Sequence, residues 1–232
     1  MQAKLRCEVP ELLLVLGMLI AAVVVWPFAP ERMPVHWNIF GEVDRYGGKL
    51  EGLLALPLIA VGCYVLLLVV PLFDRGRANF SSFRGAYATV RFSILSLLVL
   101  VYACILLTAF GRGINVAAIL PLAVGLVLMV IGNVMGKIRP NGFVGVRTPW
   151  TLSSRRSWNK THRLARWLLA AMGIAVGLCG LIQTYWMIAL TATVFVVSLS
   201  WMVIYSYLIW REDPERITPA DISPSPGDEE LG

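Results

Sequence analysis

Charged residues are scarce in this sequence. They make up 15% of its 232 residues, whereas 58% are hydrophobic, and a typical soluble domain is about 25% charged. This shortage excludes an ordinary soluble globular domain. A bilayer core of roughly 30 Å needs about 20 mostly apolar residues per helical span. Apolar stretches of that length recur along the chain and predict six transmembrane helices, at 10–28, 52–73, 87–110, 114–136, 165–186 and 187–210.

The motifs of several common catalytic centres are also missing. The sequence has no HExxH, no GxSxG and no phosphate-binding Gly-x4-Gly-Lys-[Ser/Thr] motif. Its two histidines, His36 and His162, fall in loops predicted on opposite sides of the membrane, so they cannot share a metal ion. For an enzyme acting on lipid head groups, the best cluster is His162 with Arg147 and Asn141, and it lacks a neighbouring carboxylate. We therefore predict no enzymatic activity, no metal and no cofactor.

Cysteines and acidic residues are absent from the positions where they would indicate function. None of the four cysteines lies in a loop predicted to face outward, so no disulfide framework is indicated. We expect every acidic residue to lie in a tail, a loop or the edge of a span, and Arg91 to extend from its span towards water. The lack of a buried carboxylate argues against an ion-coupled pump. A lipid or peptide transporter remains an alternative, with Asn133, Ser198 and Ser200 as its polar lining.

The lysines and arginines predict the orientation of the six helices. Fifteen of them fall in the amino terminus, the second and fourth loops and the tail, and four fall in the other loops. Since cytoplasmic loops are enriched in these residues, both termini are predicted to be cytoplasmic and the 29–51 loop to face outward. The fold class is therefore an all-α polytopic membrane protein, and we expect the last two helices to be separated by a tight turn at Tyr185-Trp186.

We divide the chain into three parts. Residues 1–110 form an amino-terminal membrane domain with an outward-facing loop, residues 111–210 form a second membrane domain with a large basic loop, and residues 211–232 form a cytoplasmic tail. The tail is rich in proline, serine and acidic residues, which predicts disorder.

The outward loop contains a compact group of polar and aromatic residues. Asn38 and Asp44 can hydrogen-bond nearby backbone and fix turns, and Gly41 permits a positive φ. One interpretation is a folded interfacial loop whose polar groups satisfy one another. The other is a recognition surface for a ligand arriving from outside, with His36, Trp37, Asn38, Gly41 and Asp44 as its residues; a metal site built on His36 and Asp44 is a weaker alternative.

The basic segment, residues 136–163, interrupts two apolar stretches. Pro140-Asn141-Gly142 predicts a turn, and Pro149 favours extended backbone at Thr148. Ser153 or Ser154 can cap the helix that follows. At helical spacing, Trp158 and His162 share one face of that helix, and basic residues including Arg163 occupy another. Electrostatics alone would not require this order of residues, so we predict a structured cytoplasmic motif.

The order of these residues resembles the signature of the SdpI family of bacterial membrane proteins. The resemblance rests on Gly132-Asn133, on Gly136 to Asn141, on Gly145 to Leu152 with its Gly-Val-Arg-Thr-Pro core, on Trp158 and on Thr161-His162-Arg163. The cytoplasmic motif that it implies consists of Asn133, Arg139, Pro140, Asn141, Gly145, Arg147, Thr148, Pro149, Trp158, His162 and Arg163. The outward Pro34-x-His-x-Asn-x2-Gly-x2-Asp44 pattern is similar to an uncharacterised amino-terminal domain that commonly accompanies this family.

The resemblance implies a six-helix immunity protein of the bacterial cytoplasmic membrane. Its expected partners are the lipid bilayer, a secreted membrane-active peptide toxin and, as in the member that names the family, a cytoplasmic transcriptional repressor. We expect no direct binding of nucleic acid. A membrane scaffold without toxin specificity, binding its partner through the basic segment, is the remaining alternative.

Overall fold

Six long apolar helices dominate the structure, as predicted. The computed structural model describes residues 2–74 and 77–216, with the side chains of 8–74 and 79–216. Each long helix has the length and hydropathy of a membrane span, and many of their aliphatic side chains face outward, as expected for surfaces in contact with lipid. The helices are α1 (Gln2–Val25), α2 (Leu56–Phe73), α3 (Arg77–Phe80), α4 (Arg84–Ala109), α5 (Val116–Met135), α6 (Pro149–Leu152), α7 (Arg155–Ile182) and α8 (Tyr185–Arg211).

The connection between α7 and α8 differs from the expectation. Helix α7 ends at Ile182, Gln183 adopts a left-handed conformation with φ 53°, and Thr184 is extended. The predicted turn at Tyr185-Trp186 is therefore wrong, because these two aromatic residues form the first turn of α8. The side chain of Gln183 donates a hydrogen bond to Oδ1 of Asn115, 3.2 Å away, which joins this turn to the start of α5.

A two-stranded antiparallel hairpin is the main departure from a purely helical fold. Strand β1 (Arg32–Trp37) pairs with β2 (Val43–Gly48), with bulges on either side of His36. A π-helical turn (Glu51–Ala55) then leads into α2, and the Tyr102 hydroxyl donates to the carbonyl of Leu53 within it. The hairpin was not predicted because polar and apolar residues alternate only weakly in these short strands. The strands also contain three glycine or proline residues, which are uncommon in strands and favour loops.

Helices α5 and α7 approach each other closely through glycine. A Cβ atom added to Gly125 would lie 2.4 Å from the carbonyl oxygen of Gly173, and the reverse substitution would meet the same clash. Two further glycines lie at this contact: Gly132 on α5, seven residues after Gly125, and Gly180 on α7, seven residues after Gly173. Small residues thus allow backbone-to-backbone packing, as is common between membrane helices.

Two hydrophobic clusters form the interior, and α4 contributes to both. One cluster joins α1, α2, the hairpin and the part of α4 from Leu95 onward, including Tyr102 and Ile105. The other joins the first half of α4, including Tyr87 and Val90, to α5, the basic segment, α7 and α8. Helix α4 therefore connects the two halves of the molecule.

A buried ion pair lies between α1 and α4, which corrects two expectations. Nη2 of Arg91 lies 2.6 Å from Oε2 of Glu11, and Nε donates to Oε1 at 3.2 Å. The side chains are 8% and 1% exposed, respectively. The expectation that no carboxylate is buried is wrong, and so is the expectation that Arg91 extends to water. Glu11 is the second residue of the predicted span 10–28. Its partner is 80 residues away along the chain, so no local pattern marks the pair.

The loops meet in two groups, at opposite ends of the helices. At the hairpin end, the hairpin contacts the first turns of α5 and α8. At the basic end, the basic segment contacts both the segment after α2 and the residues after α8. This grouping agrees with six spans that alternate in direction. Which end faces the cytoplasm stays a prediction, as does the division at residues 110 and 111.

The first residues of the predicted tail are folded onto the protein. Asp213 is buried and accepts a hydrogen bond from the Ser154 hydroxyl, and Nη1 of Arg156 donates to the carbonyl oxygen of Glu212 at 3.3 Å. The expectation of disorder from residue 211 is therefore wrong for residues 211–216. The rest of that prediction concerns 217–232, which lie outside the described residues.

Candidate functional site

Asn141 folds the turn at the start of the basic segment. Its Oδ1 accepts hydrogen bonds from the backbone N–H groups of Phe143 (2.9 Å) and Val144 (2.7 Å). Its Nδ2 donates to the carbonyl oxygens of Arg139 (2.8 Å) and Val144 (3.0 Å). The side chain is buried and satisfied within the loop, so the role that this geometry supports is to organise the turn rather than to contact a ligand.

The segment after α2 holds this turn from the side. The buried carboxylate of Asp74 accepts the backbone N–H of Gly142 at 2.8 and 3.1 Å from its two oxygens. Nδ2 of Asn79 donates to the carbonyl oxygen of Pro140 at 2.7 Å. Sequence reasoning missed both residues. A polar pair just after an apolar span was the available signal, and it did not indicate which loop the pair would contact.

His162 and Trp158 form the buried centre of the basic segment. Their rings stack with centroids 4.1 Å apart, and the Trp158 indole N–H donates to the carbonyl of Ile138 at 2.9 Å. Nε2 of His162 accepts the backbone N–H of Val146 at 3.1 Å, and Nδ1 lies 2.8 Å from the Trp158 carbonyl. Since Nε2 accepts, Nδ1 must carry the proton and donate, which defines a neutral imidazole. Both ring nitrogens are thus committed to backbone, so the His162 cluster has no free base to offer a lipid substrate.

Gly145 is required beside this histidine for two reasons. Its φ is +115°, a conformation that side-chain-bearing residues rarely adopt. A Cβ atom at this position would also lie 2.2 Å from Nε2 of His162. The sequence identified the glycine, but only the folded loop shows that its missing side chain makes room for the imidazole.

Two capping motifs connect the basic segment to α7 and α8. Thr148 and Thr151 form a reciprocal capping box on α6, with Pro149 in its first turn, and the Thr148 hydroxyl lies 3.1 Å from that of Ser206 on α8. Ser154 caps α7 by accepting the N–H of Ser157 at 2.8 Å. The extended backbone predicted at Thr148 is confirmed, with φ −105° and ψ 161°. Of the two predicted caps for the long helix, the structure uses Ser154.

The remaining predicted residues of the basic segment lie on its surface. Arg139, Arg147, Pro149 and Arg163 are not buried, and the Arg147 guanidinium lies 6.0 Å from the Phe143 ring centroid. The predicted motif thus separates into a buried set that folds the loop and an exposed basic set that is available to a partner. Asn133 lies apart from both, on an exposed face of α5.

The polar lining suggested for a transporter does not come together. Asn133 on α5 and Ser200 on α8 are both exposed on the outside of the helices, whereas Ser198 is buried. These three side chains therefore do not share one solvated path.

At the hairpin end, His36 and Asp44 form an exposed pair across the two strands. Nδ1 of His36 lies 2.6 Å from Oδ1 of Asp44, and the side chains are 64% and 42% exposed. Among the described residues, no third histidine, cysteine or acidic side chain joins them to make a metal-sized cluster. Asp44 was expected to fix a turn through backbone, and it contacts the His36 ring instead.

The turn of the hairpin is organised by Asn38 and Gly41. Oδ1 of Asn38 accepts the backbone N–H groups of Phe40 (2.9 Å) and Glu42 (3.1 Å), as predicted for a turn-forming asparagine. Gly41 has a φ of +80°, and a Cβ there would lie 2.7 Å from Cβ of Ala117 on α5. Because Gly41 has no side chain, the turn can pack directly against α5.

Aromatic contacts complete the seating of the hairpin. The Phe40 ring packs edge-to-face on Tyr185 at the start of α8, with centroids 5.6 Å apart. Trp37 packs against the cluster formed by α1, α2 and α4. The five residues predicted for the outer loop therefore lie in one small element. Two of them, His36 and Asp44, present exposed polar groups, and the others mainly position the turn.

These features define a class: a six-helix, multi-pass membrane protein with a folded basic segment at one end and a hairpin at the other. Comparison with known proteins adds two family matches. Residues 137–206 match the SdpI/YfhL protein family, and residues 13–61 match a domain of unknown function, DUF1648. The resemblance found in the sequence is thus confirmed by a match over the second half of this membrane protein, and its amino-terminal part matches DUF1648.

The chain is also similar to a curated relative. It is 23% identical over 196 residues to the immunity protein SdpI of Bacillus subtilis (strain 168), an alignment that covers 83% of this chain and 90% of the relative. No solved structure matches the chain. The basic segment described above falls almost entirely within the SdpI/YfhL match, and both strands of the hairpin fall within the DUF1648 match.

Proposed function

We propose that this chain is an immunity protein of the bacterial cytoplasmic membrane that protects its cell against a membrane-active peptide toxin. The name of the Bacillus subtilis relative supports immunity. The unequal distribution of lysine and arginine supports an orientation with both termini and the basic segment in the cytoplasm and the hairpin outside. In this orientation the hairpin is the part that an extracellular peptide meets first.

The observation that carries the proposal is the position of the hairpin on the first turns of α5 and α8. Gly41 rests on Ala117, and Phe40 contacts Tyr185. Both helices belong to the half of the chain that also holds the basic segment. A peptide bound at the hairpin would therefore lie close to α5 and to α8, most of which falls within the SdpI/YfhL match, as well as to the DUF1648 region.

The exposed chemistry around the turn of the hairpin suits a cationic amphipathic peptide. Asp44 and Glu42 supply carboxylates, and Ile39 and Phe40 supply exposed apolar surface beside them. Peptides that disrupt membranes combine the complementary features, cationic side chains on one face and apolar side chains on the other. Capture at the hairpin would compete with insertion into the bilayer and so preserve the membrane potential.

The basic end supplies a second surface, on the cytoplasmic side in this orientation. The exposed arginines Arg139, Arg147 and Arg163 can bind an acidic surface of a cytoplasmic repressor or the anionic lipids of the inner leaflet. We propose the repressor role for these residues as the signalling part of the function. It is separable from protection, because the two surfaces lie at opposite ends.

The test of protection is expression in a sensitive bacterium that is challenged with purified secreted peptides while a dye reports the membrane potential. The parent chain should delay depolarisation, and His36→Ala and Asp44→Asn should remove most of this delay. Arg112→Ala is the matched control, since Arg112 is an exposed residue at the same end outside the hairpin. Immunoblots of membrane fractions should show equal amounts of all four proteins.

Equal protection by the parent, His36→Ala and Asp44→Asn would remove the hairpin from the mechanism. Failure of the parent to protect against any candidate peptide would contradict immunity itself and favour the scaffold alternative. The orientation has its own measurement: an impermeant thiol reagent should label Asp44→Cys in intact cells and leave Leu152→Cys unlabelled until the cells are opened.

A further inference from the structure

A cavity of about 520 Å³ lies at the basic end, outside the sites considered so far. It opens among α1, α2, α3 and α4, and its size falls within the roughly 300–1,000 Å³ range of small-molecule sites. Its wall is part apolar and part charged, and it includes Glu8, Leu68, Leu72, Arg84, Ala88 and Arg91. Leu72 is 67% exposed, so one side of the cavity continues onto the lipid-facing surface of α2.

The charged side chains of the cavity are arranged in two layers. The deeper layer is the Glu11–Arg91 pair, in which Arg91 uses Nε and Nη2 to hold the carboxylate. The outer layer consists of Glu8, one turn before Glu11 on α1, and Arg84, two turns before Arg91 on α4. Among the described residues, no ion pair joins Glu8 to Arg84. The outer layer thus offers one cationic and one anionic group that are not committed to each other.

We infer that this cavity binds the head group of an amine-bearing phospholipid, phosphatidylethanolamine. Its phosphate contacts Arg84, its ammonium group contacts Glu8, and its acyl chains lie along Leu68 and Leu72. A guanidinium is well suited to a phosphate, and a carboxylate accepts the N–H groups of a primary ammonium. The partly apolar wall and the opening onto α2 suit a lipid rather than a water-soluble phosphate compound.

Charge complementarity separates this lipid from the other common types. Phosphatidylglycerol would supply the phosphate but leave Glu8 facing a neutral glycerol. Phosphatidylcholine would supply both charges, but its quaternary ammonium has no N–H to donate to Glu8. The site should therefore prefer phosphatidylethanolamine over both.

The experiment uses the full-length chain, purified in detergent, depleted of lipid and titrated with the three lipids carrying identical acyl chains. Native mass spectrometry counts the bound lipids. The parent should bind one phosphatidylethanolamine about tenfold more tightly than phosphatidylcholine, the effect of one charge-assisted hydrogen bond. Arg84→Ala should weaken this binding by a similar factor, and Glu8→Gln should abolish the preference over phosphatidylcholine.

Two further variants control for folding and for non-specific lipid. Ala88→Trp fills the cavity and should block the bound lipid, and Leu72→Trp at the exposed rim does so if Ala88→Trp fails to fold. Arg112→Ala, at the hairpin end, should bind like the parent. Equal binding of all three lipids, unaffected by Arg84→Ala and by the filled cavity, would overturn the inference, and so would tighter binding of phosphatidylglycerol. Neither result depends on whether the protein confers immunity.

Discussion

The buried Glu11–Arg91 pair gives the sharpest test of how the two halves are held together. We consider the variants Glu11→Leu, Arg91→Met and the combination of both. Each single change removes one partner and leaves the other charge in a place where the side chains are only 1% and 8% exposed. An unpaired buried charge costs about 3–5 kcal/mol of folding free energy. The double variant removes both charges and keeps apolar side chains of similar length, so most of that loss should be recovered.

The two single variants should not lose the same amount of folding free energy. Arg91 lines the cavity at the basic end, so after Glu11→Leu its guanidinium can turn towards the cavity mouth and water. Glu11 is almost fully enclosed and has no such outlet. We therefore expect Arg91→Met to be the more destabilising change.

The assay is reversible unfolding of the purified protein in mixed micelles with increasing denaturing detergent, followed by tryptophan fluorescence. The Arg45–Glu51 pair is the matched control, because its atoms lie 2.8 Å apart but its side chains are 59% and 42% exposed. The double-mutant cycle should give a coupling of several kcal/mol for the buried pair and about 0–1 kcal/mol for the exposed one. Additive effects of Glu11→Leu and Arg91→Met would refute the reasoning, since they would show that neither charge depends on the other.

Three further predictions concern local geometry. Gly145→Ala should destabilise the protein by about 1–3 kcal/mol through backbone strain alone, and by more through the clash with the buried imidazole. Its control is Gly113→Ala, because Gly113 has open space around it. This control should leave the melting temperature in detergent nearly unchanged. Gly173→Ala should separate α5 from α7 and lower the melting temperature, and Gly62→Ala on α2 is its control because a Cβ there meets nothing within 4 Å. Ser154→Ala should cost about 0.5–2 kcal/mol from the lost cap and release the residues after α8, which limited trypsin digestion would detect as faster cleavage near the end of that helix. A glycine variant as stable as its control, or a Ser154→Ala protein cleaved no faster than the parent, would contradict the contact assigned to that residue.

The number of long helices could be predicted from the sequence because each membrane span leaves an apolar stretch of about twenty residues. The error at the α7–α8 turn arose because Tyr185 and Trp186 have the character of interface residues, and interface residues also occur within the first turn of a membrane helix. The break itself is made by Gln183 in a left-handed conformation, which glutamine rarely adopts and which no pattern indicates.

Within the basic segment, the sequence identified most of the residues but not how they divide. Asn141, Trp158 and His162 proved to be internal to the fold, whereas Arg139 and Arg147 lie on the surface. A distinctive order of residues indicates that a segment adopts a defined structure. It does not distinguish a residue that stabilises the loop from one that contacts a partner. That distinction depends on contacts across long separations, such as the one from Asp74 to Gly142.

The double role of α4 has a consequence for how such a chain can be dissected. A cut between the two sequence regions, near residue 110, would leave the carboxy-terminal fragment without Tyr87 and Val90, which fill the space beside α5 and α7. That fragment would then expose a groove to the bilayer. Co-expression of the amino-terminal fragment, which contains α4, should fill the groove and restore the fold as a split protein. A relative that carries only the carboxy-terminal region must close this groove with another helix or with a second copy of itself.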